Sequence, residues 1–87
     1  MVDDEKKSAD QIFGKTVVSK EGKTYGVVSD MSFEIRTGEL IYLALKTPTP
    51  HANSLDLEKN KKGELLIPFS AVVALGDFVV VAEEDII

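Results

Sequence analysis

Lys23-Thr-Tyr-Gly-Val-Val-Ser-Asp-Met-Ser-Phe-Glu-Ile35, then Arg36-Thr-Gly-Glu39, then Leu40-Ile-Tyr-Leu-Ala-Leu45 is the stretch whose reading decides the fold. Its odd positions up to Ile35 are Tyr25, Val27, Ser29, Met31, Phe33 and Ile35, apolar with one exception. Its even positions are Thr24, Gly26, Val28, Asp30, Ser32 and Glu34, mostly polar. Alternation with period 2 over a dozen residues predicts a strand with one buried and one wet face. Gly26 has no side chain and marks a bend, bulge or close backbone approach. A strand this long suits a small barrel, where it coils and contributes to two sides. The glycine turn at Arg36–Glu39 makes a hairpin with the next strand.

That next strand differs in kind. Ile41, Leu43 and Leu45 lie on one face, and Leu40, Tyr42 and Ala44 on the other. Both faces are apolar, and a domain this small has no second layer to cover the outer one. The outward residues Leu40, Tyr42 and Ala44 are therefore the candidate interface, to a second copy or a partner. The loop 47–62 or the end of the chain is the alternative cover.

Outward from the hairpin, Ile12–Val18 is β-branched and reads as a strand, with a turn at Glu21-Gly22-Lys23. Residues 47–62 form a long polar loop, because Pro48 and Pro50 cannot donate to a ladder. One helical turn is expected near Leu55. Glu64–Ile67 reads as a short strand ended by Pro68, Phe69–Val73 as a turn or bent strand, and Phe78–Ala82 as the last strand. The expected organisation is a flexible acidic tail at 1–10, the barrel domain at 11–82 and an acidic tail at 83–87. The fold class is all-β, a small antiparallel β-barrel of five to six strands with little helix.

The net charge of −5 sits at the ends. Residues 1–10 carry four acids and two lysines, and residues 83–87 carry three acids. The body keeps eight acids and eight bases and is neutral. A neutral body exerts little pull on nucleic acid or anionic membrane, so neither is an expected partner. No apolar run approaches the ~20 residues of a membrane span, and the start lacks a signal-peptide core, so the expected location is the cytoplasm. There is no cysteine, which removes disulfides and thiolate metal sites.

Taken in order, Phe13-Gly14-Lys15-Thr16-Val17-Val18, Glu21-Gly22-Lys23, Tyr25-Gly26-Val27-Val28-Ser29-Asp30, Thr37-Gly38-Glu39, the Leu43-Ala44-Leu45-Lys46 strand, Leu66-Ile67-Pro68-Phe69 and Ala74-Leu75-Gly76-Asp77 resemble the PRC-barrel domain. The resemblance covers residues 11–82. It implies a PRC-type barrel like that of the photosynthetic reaction-centre H subunit and the C-terminal part of the ribosome maturation factor RimM. The short stand-alone archaeal members are most similar. From them it implies a homodimer and a role in archaeal cell division, beside the FtsZ-anchoring protein SepF. The alternative it implies is a RimM-like factor associated with a ribosomal protein or RNA processing. Neither the membrane anchor of the H subunit nor the second domain of RimM is expected here. The family carries no catalytic motif.

The residues themselves point to no enzyme. His51 is the only histidine, and with few acids near it no zinc ligand set forms, so a surface-loop histidine is expected. Ser8, Ser19, Ser29, Ser32, Ser54 and Ser70 lack a neighbouring base or a nucleophile elbow. Asp30 and Glu34 share a face, but nothing supports their acting as an acid–base pair. Gly22, Gly38, Gly63 and Gly76 are spaced as separate turns and build no phosphate cradle. Lys59, Lys61 and Lys62 are flanked by Asp56, Glu58 and Glu64, the pattern of a solvated loop. Phe33, Phe69 and Phe78 are assigned to the core. No catalytic, cofactor or metal residue is expected.

Overall fold

The computed structural model describes residues 11–86. Six strands, β1 (Thr16–Ser19), β2 (Thr24–Phe33), β3 (Leu40–Lys46), β4 (Leu65–Pro68), β5 (Val72–Leu75) and β6 (Phe78–Val81), form one sheet in the order β4-β3-β2-β1-β6-β5. Among the described residues the sheet is accompanied by a short helix, α1 (Pro50–Ser54), by two 3₁₀ turns, Phe69–Ala71 and Glu83–Asp85, and by a helical turn at Gln11 and Ile12. The fold is all-β, with little helix, as expected. Its pairings are antiparallel except β1 with β6, which run parallel. The edge strands β4 and β5 are not joined, so the sheet stays open.

All the strands except β5 send buried side chains into one core. Val17, Tyr25, Val28, Met31, Leu43, Leu45, Leu65, Ile67, Val79 and Val81 form a single cluster, with Val72 of β5 packed against it. A flat sheet cannot bring so many strands onto one cluster, so this one curls around it. β2 makes the curl possible. Its first half pairs with β1 and its second half with β3 alone. Gly26 lies where it turns, with backbone so close that an added Cβ would sit 3.0 Å from the Lys46 carbonyl oxygen. Immediately after β3, Thr47 takes a left-handed φ of 49°, which turns the chain out of the sheet.

A register shift between Val28 and Asp30 changes which side chains face inward. Simple alternation puts Phe33 and Ile35 in the core. Met31 still faces inward after that shift, but a second one between Ser32 and Phe33 breaks the alternation, and Phe33 and Ile35 are both exposed, Ile35 at 97%. Phe78 is also exposed, and of the three phenylalanines assigned to the core only Phe69 packs against it. The expected strand at Ile12–Val18 is shorter: Gln11 and Ile12 are helical, Gly14 turns the chain with a φ of 82°, and β1 starts at Thr16. Ile12 still reaches the core.

The segment 47–62 is more structured than a loop. α1 occupies Pro50–Ser54 and ends before Leu55, where a helical turn was expected. Thr49 caps it, its hydroxyl accepting from the Ala52 amide, and Pro50 begins the first turn. Farther on, Leu66 N–H donates to the Glu58 carbonyl and Lys59 bridges to Leu65, so this segment lies along the outer edge of β4. Residues 83–86, expected as an acidic tail, are instead docked: they form a 3₁₀ turn, and Ile86 packs against the core. Residues 1–10 lie outside the described residues.

Gly26→Ala should lower stability by about 2 kcal/mol, because the new methyl group meets backbone rather than a movable side chain. Thermal unfolding followed by circular dichroism should show a midpoint lower by about 8–16 °C for a chain of this size.

Candidate functional site

Two features stand out: a polar junction at one end of the sheet and the outward side of the β2–β3 hairpin.

The junction joins three elements distant in sequence. Tyr25 on β2 is fully buried, and its hydroxyl donates to the Glu83 carboxylate in the C-terminal 3₁₀ turn. His51 on α1 places Nε2 2.7 Å from the same carboxylate oxygen, Oε1. The Tyr25 and His51 rings meet edge to face with centroids 5.4 Å apart. Glu83 therefore ties helix α1 and the end of the chain to the middle of the sheet. These bonds, to Tyr25 first and His51 second, hold its carboxyl below the usual carboxylate range. Burial, followed by the Glu83 hydrogen bond, pushes the Tyr25 hydroxyl well above its ordinary value. One residue on, Glu84 pairs with Lys20 at 2.9 Å, an exposed contact that adds little by itself. His51 is thus no free loop histidine. Its partners lie 26 and 32 positions away in the chain, so no local spacing announces them.

A second network fixes the segment beside β4. The Ser29 hydroxyl donates to Glu64 at 2.9 Å, and the Asn60 amide donates to the other carboxylate oxygen at 3.0 Å. Asn60 first and Ser29 second draw the Glu64 carboxyl below its ordinary range, with Lys62 and Lys46 adding favourable charge. Ser29 is in this way a pinning residue. Lys46 and Lys62 both lie near Glu64, so Lys46 comes close to the segment that carries the expected Lys59, Lys61 and Lys62.

Of the three expected interface residues, Leu40 and Tyr42 keep partial exposure, while Ala44 is only 3% exposed and offers no free surface. Leu43 and Leu45 are fully buried, so the second half of β3 is covered on both sides within the chain. Leu40 also leans on the core cluster. Glu58 beside the Tyr42 hydroxyl raises its pKa, which places the segment next to β4 near this face. Asp30 is exposed and donates nothing to Glu34; its carboxylate accepts from the Met31 amide.

Among the described residues, no helix is long and apolar enough to cross a membrane, and no group of three or more His, Asp or Glu converges as a metal-ligand set.

At neutral pH Glu83→Gln should lower the thermal midpoint relative to the parent chain. Because the folded carboxyl lies below its ordinary value of 4.5, its contribution is complete above that pH and is lost as the pH falls through the folded value. The gap between the two melting midpoints should therefore narrow as the pH is lowered below 4.5; a gap that stays constant down to the acid unfolding of the chain would remove the carboxylate from the explanation.

The chain is 29% identical over 82 residues to the uncharacterized protein MJ1118 of the archaeon Methanocaldococcus jannaschii, covering 94% of this chain and 88% of that protein. The PRC-barrel domain matches residues 4–85, wider at both ends than the 11–82 that the motifs outline and including the docked Glu83–Asp85 turn. With six short strands curled around one core and a match across nearly its whole length, the chain belongs to the PRC-barrel domain family.

Proposed function

We propose that this chain is a non-enzymatic adaptor that works as a homodimer and holds a protein partner. Membership of the PRC-barrel family fits a small protein-interaction module. The observation that carries the dimer reading is the first half of β3, where the apolar residues Leu40 and Tyr42 stay partly exposed while Leu43, Ala44 and Leu45 are buried. A two-fold axis there would pair each residue with its counterpart in the other copy, the commonest form of a small oligomer. The partner we propose belongs to the archaeal cell-division machinery linked to SepF and FtsZ. Support comes from the resemblance to stand-alone archaeal members and from the archaeal relative. The proposed location is the cytoplasm.

A second reading is a RimM-like, ribosome-associated factor. What favours it is Lys46 near Lys62 in the segment that also carries Lys59 and Lys61, a local group of lysines of the kind that meets an acidic or RNA-bearing surface. Glu58 and Glu64 stand among them and weaken that charge.

In size-exclusion chromatography with light scattering, the parent chain should run at twice 9.5 kDa, about 19 kDa. Tyr42→Asp should run at 9.5 kDa with an unchanged circular-dichroism spectrum. A dimer that survives Tyr42→Asp would count against this face. Affinity capture from an archaeal lysate should recover division proteins; recovery of ribosomal proteins that salt washes away would favour the second reading.

A further inference from the structure

Gly76 is the one glycine among the described residues that the fold does not demand. The other five all take positive φ values. Gly76 does not, and a Cβ built on it would meet no atom within 4 Å. With Leu75 it forms one side of a cavity of about 220 Å³, whose remaining lining is Gln11, Ile12 and Lys15. The pairing brings these segments together. Thr16 pairs with Phe78 and Leu75 with Val79, so the start of β1 and the β5–β6 turn meet across the first residues of β6.

Lys15 brings charge to this cavity. Its ammonium donates to the Gly76 carbonyl, a neutral group. Other lysines lie by carboxylates: Lys20 by Glu84, Lys23 by Glu83, Lys46 and Lys62 by Glu64. Among the described residues no carboxylate lies within ion-pair distance of Lys15. A positive charge is thus held at the wall of a cavity, uncompensated and with donors to spare. Gln11 adds an amide that can donate to the same anion, while Ile12 and Leu75 make the rest of the lining apolar. Asp77 is exposed and lies outside the lining. The volume is that of about seven water molecules, room for one amino-acid residue. A phosphate group is a poorer fit. It would meet a single lysine, and the Gly76 N–H that could join a backbone cradle already donates to the Phe78 carbonyl.

We propose that the cavity receives the C-terminal residue of a partner protein. The terminal carboxylate lies against the Lys15 ammonium and the Gln11 amide, and an apolar last side chain lies against Ile12 and Leu75. Charge complementarity selects this occupant, and capture of a chain terminus by fixed donors is a recurring mode of peptide recognition. The residues before it lie over β5, where Val73, Ala74 and Leu75 are all exposed and uncharged. The inference rests on the adaptor reading and gives the partner a chemistry: a free C terminus with an apolar last residue.

Amide chemical shifts of the isotope-labelled chain test the proposal. The probe is an N-acetylated tetrapeptide, threonine-valine-threonine-leucine, with a free carboxylate. The expected result is saturable shifts at Gln11, Lys15, Leu75 and Gly76, with a dissociation constant of about 1 mM or tighter. The same peptide ending in a carboxamide should bind about tenfold more weakly or worse, and so should the free-carboxylate peptide to Lys15→Met. Gly76→Val, which fills the cavity without meeting neighbouring atoms, should remove binding while leaving the circular-dichroism melt unchanged. Equal affinity for the carboxamide, no shifts at these residues up to about 10 mM peptide, or the same shifts from inorganic phosphate at equal concentration would overturn the proposal. Affinity capture separates it from the reading on which it rests. If Gly76→Val recovers the same partner as the parent chain, the cavity is overturned and the adaptor stands; if the parent chain captures no protein, the adaptor reading falls and this inference with it.

Discussion

The close passage of β2 over the end of β3 at Gly26 is the constraint on which the rest of the fold depends. A side chain there would press on the Lys46 carbonyl oxygen and on the backbone of Thr47 and Pro48. With that space free, β2 pairs with β1 along its first half and with β3 along its second, and one continuous strand serves both sides of the core. The same passage sets the path that follows. Thr47 turns out of the sheet, Thr49 donates its hydroxyl to the Thr24 carbonyl and caps α1, and Ala52 is laid against the core. A small chain without disulfides depends on such economy, since few residues are available to cover each face.

The polar junction completes what this passage begins. α1 is one short helix and would not be stable alone. His51 binds it to Glu83, and Glu83 is held in turn by the buried Tyr25. The C-terminal turn thereby becomes part of the fold, which agrees with a family match that reaches residue 85. On the other side, Glu64, Asn60 and Ser29 fasten the segment that lies along β4. Two carboxylates, Glu83 bonded to Tyr25 and His51 and Glu64 to Ser29 and the nearby Asn60, tie segments far apart in the chain, as a metal or disulfide does in other small proteins.

These fastenings leave the two ends of the sheet unlike each other. One is charged and tied down; the other exposes Leu75 and Phe78 beside the Gly76 turn. The edge beside β4 is occupied by the chain itself, while β5 presents four apolar residues with neither charge nor proline to discourage a neighbour. The family to which the chain belongs fits a small protein-interaction module.

The sequence by itself determined the β2–β3 hairpin at Gly38, the short strands β4 and β6, the importance of Gly26 and the family, because alternation and turn chemistry are local; β1 proved shorter, and β5 occupies residues read as a bend and a turn. The start of α1 was also legible, as a threonine cap before proline at Thr49-Pro50, although the two prolines read more readily as a loop. The tertiary structure alone decided where the alternation fails. The register shift between Ser32 and Phe33 left Phe33 and Ile35 outside the core, and Ala44, flanked by β2 and β4, is buried on the face expected to be free. It alone brought His51 to Glu83 and Tyr25, because chain segments 26 and 32 positions apart meet only when the sheet curls. Patterns of period 2 record which side of a strand a residue occupies; they do not record which part of that side another segment will cover.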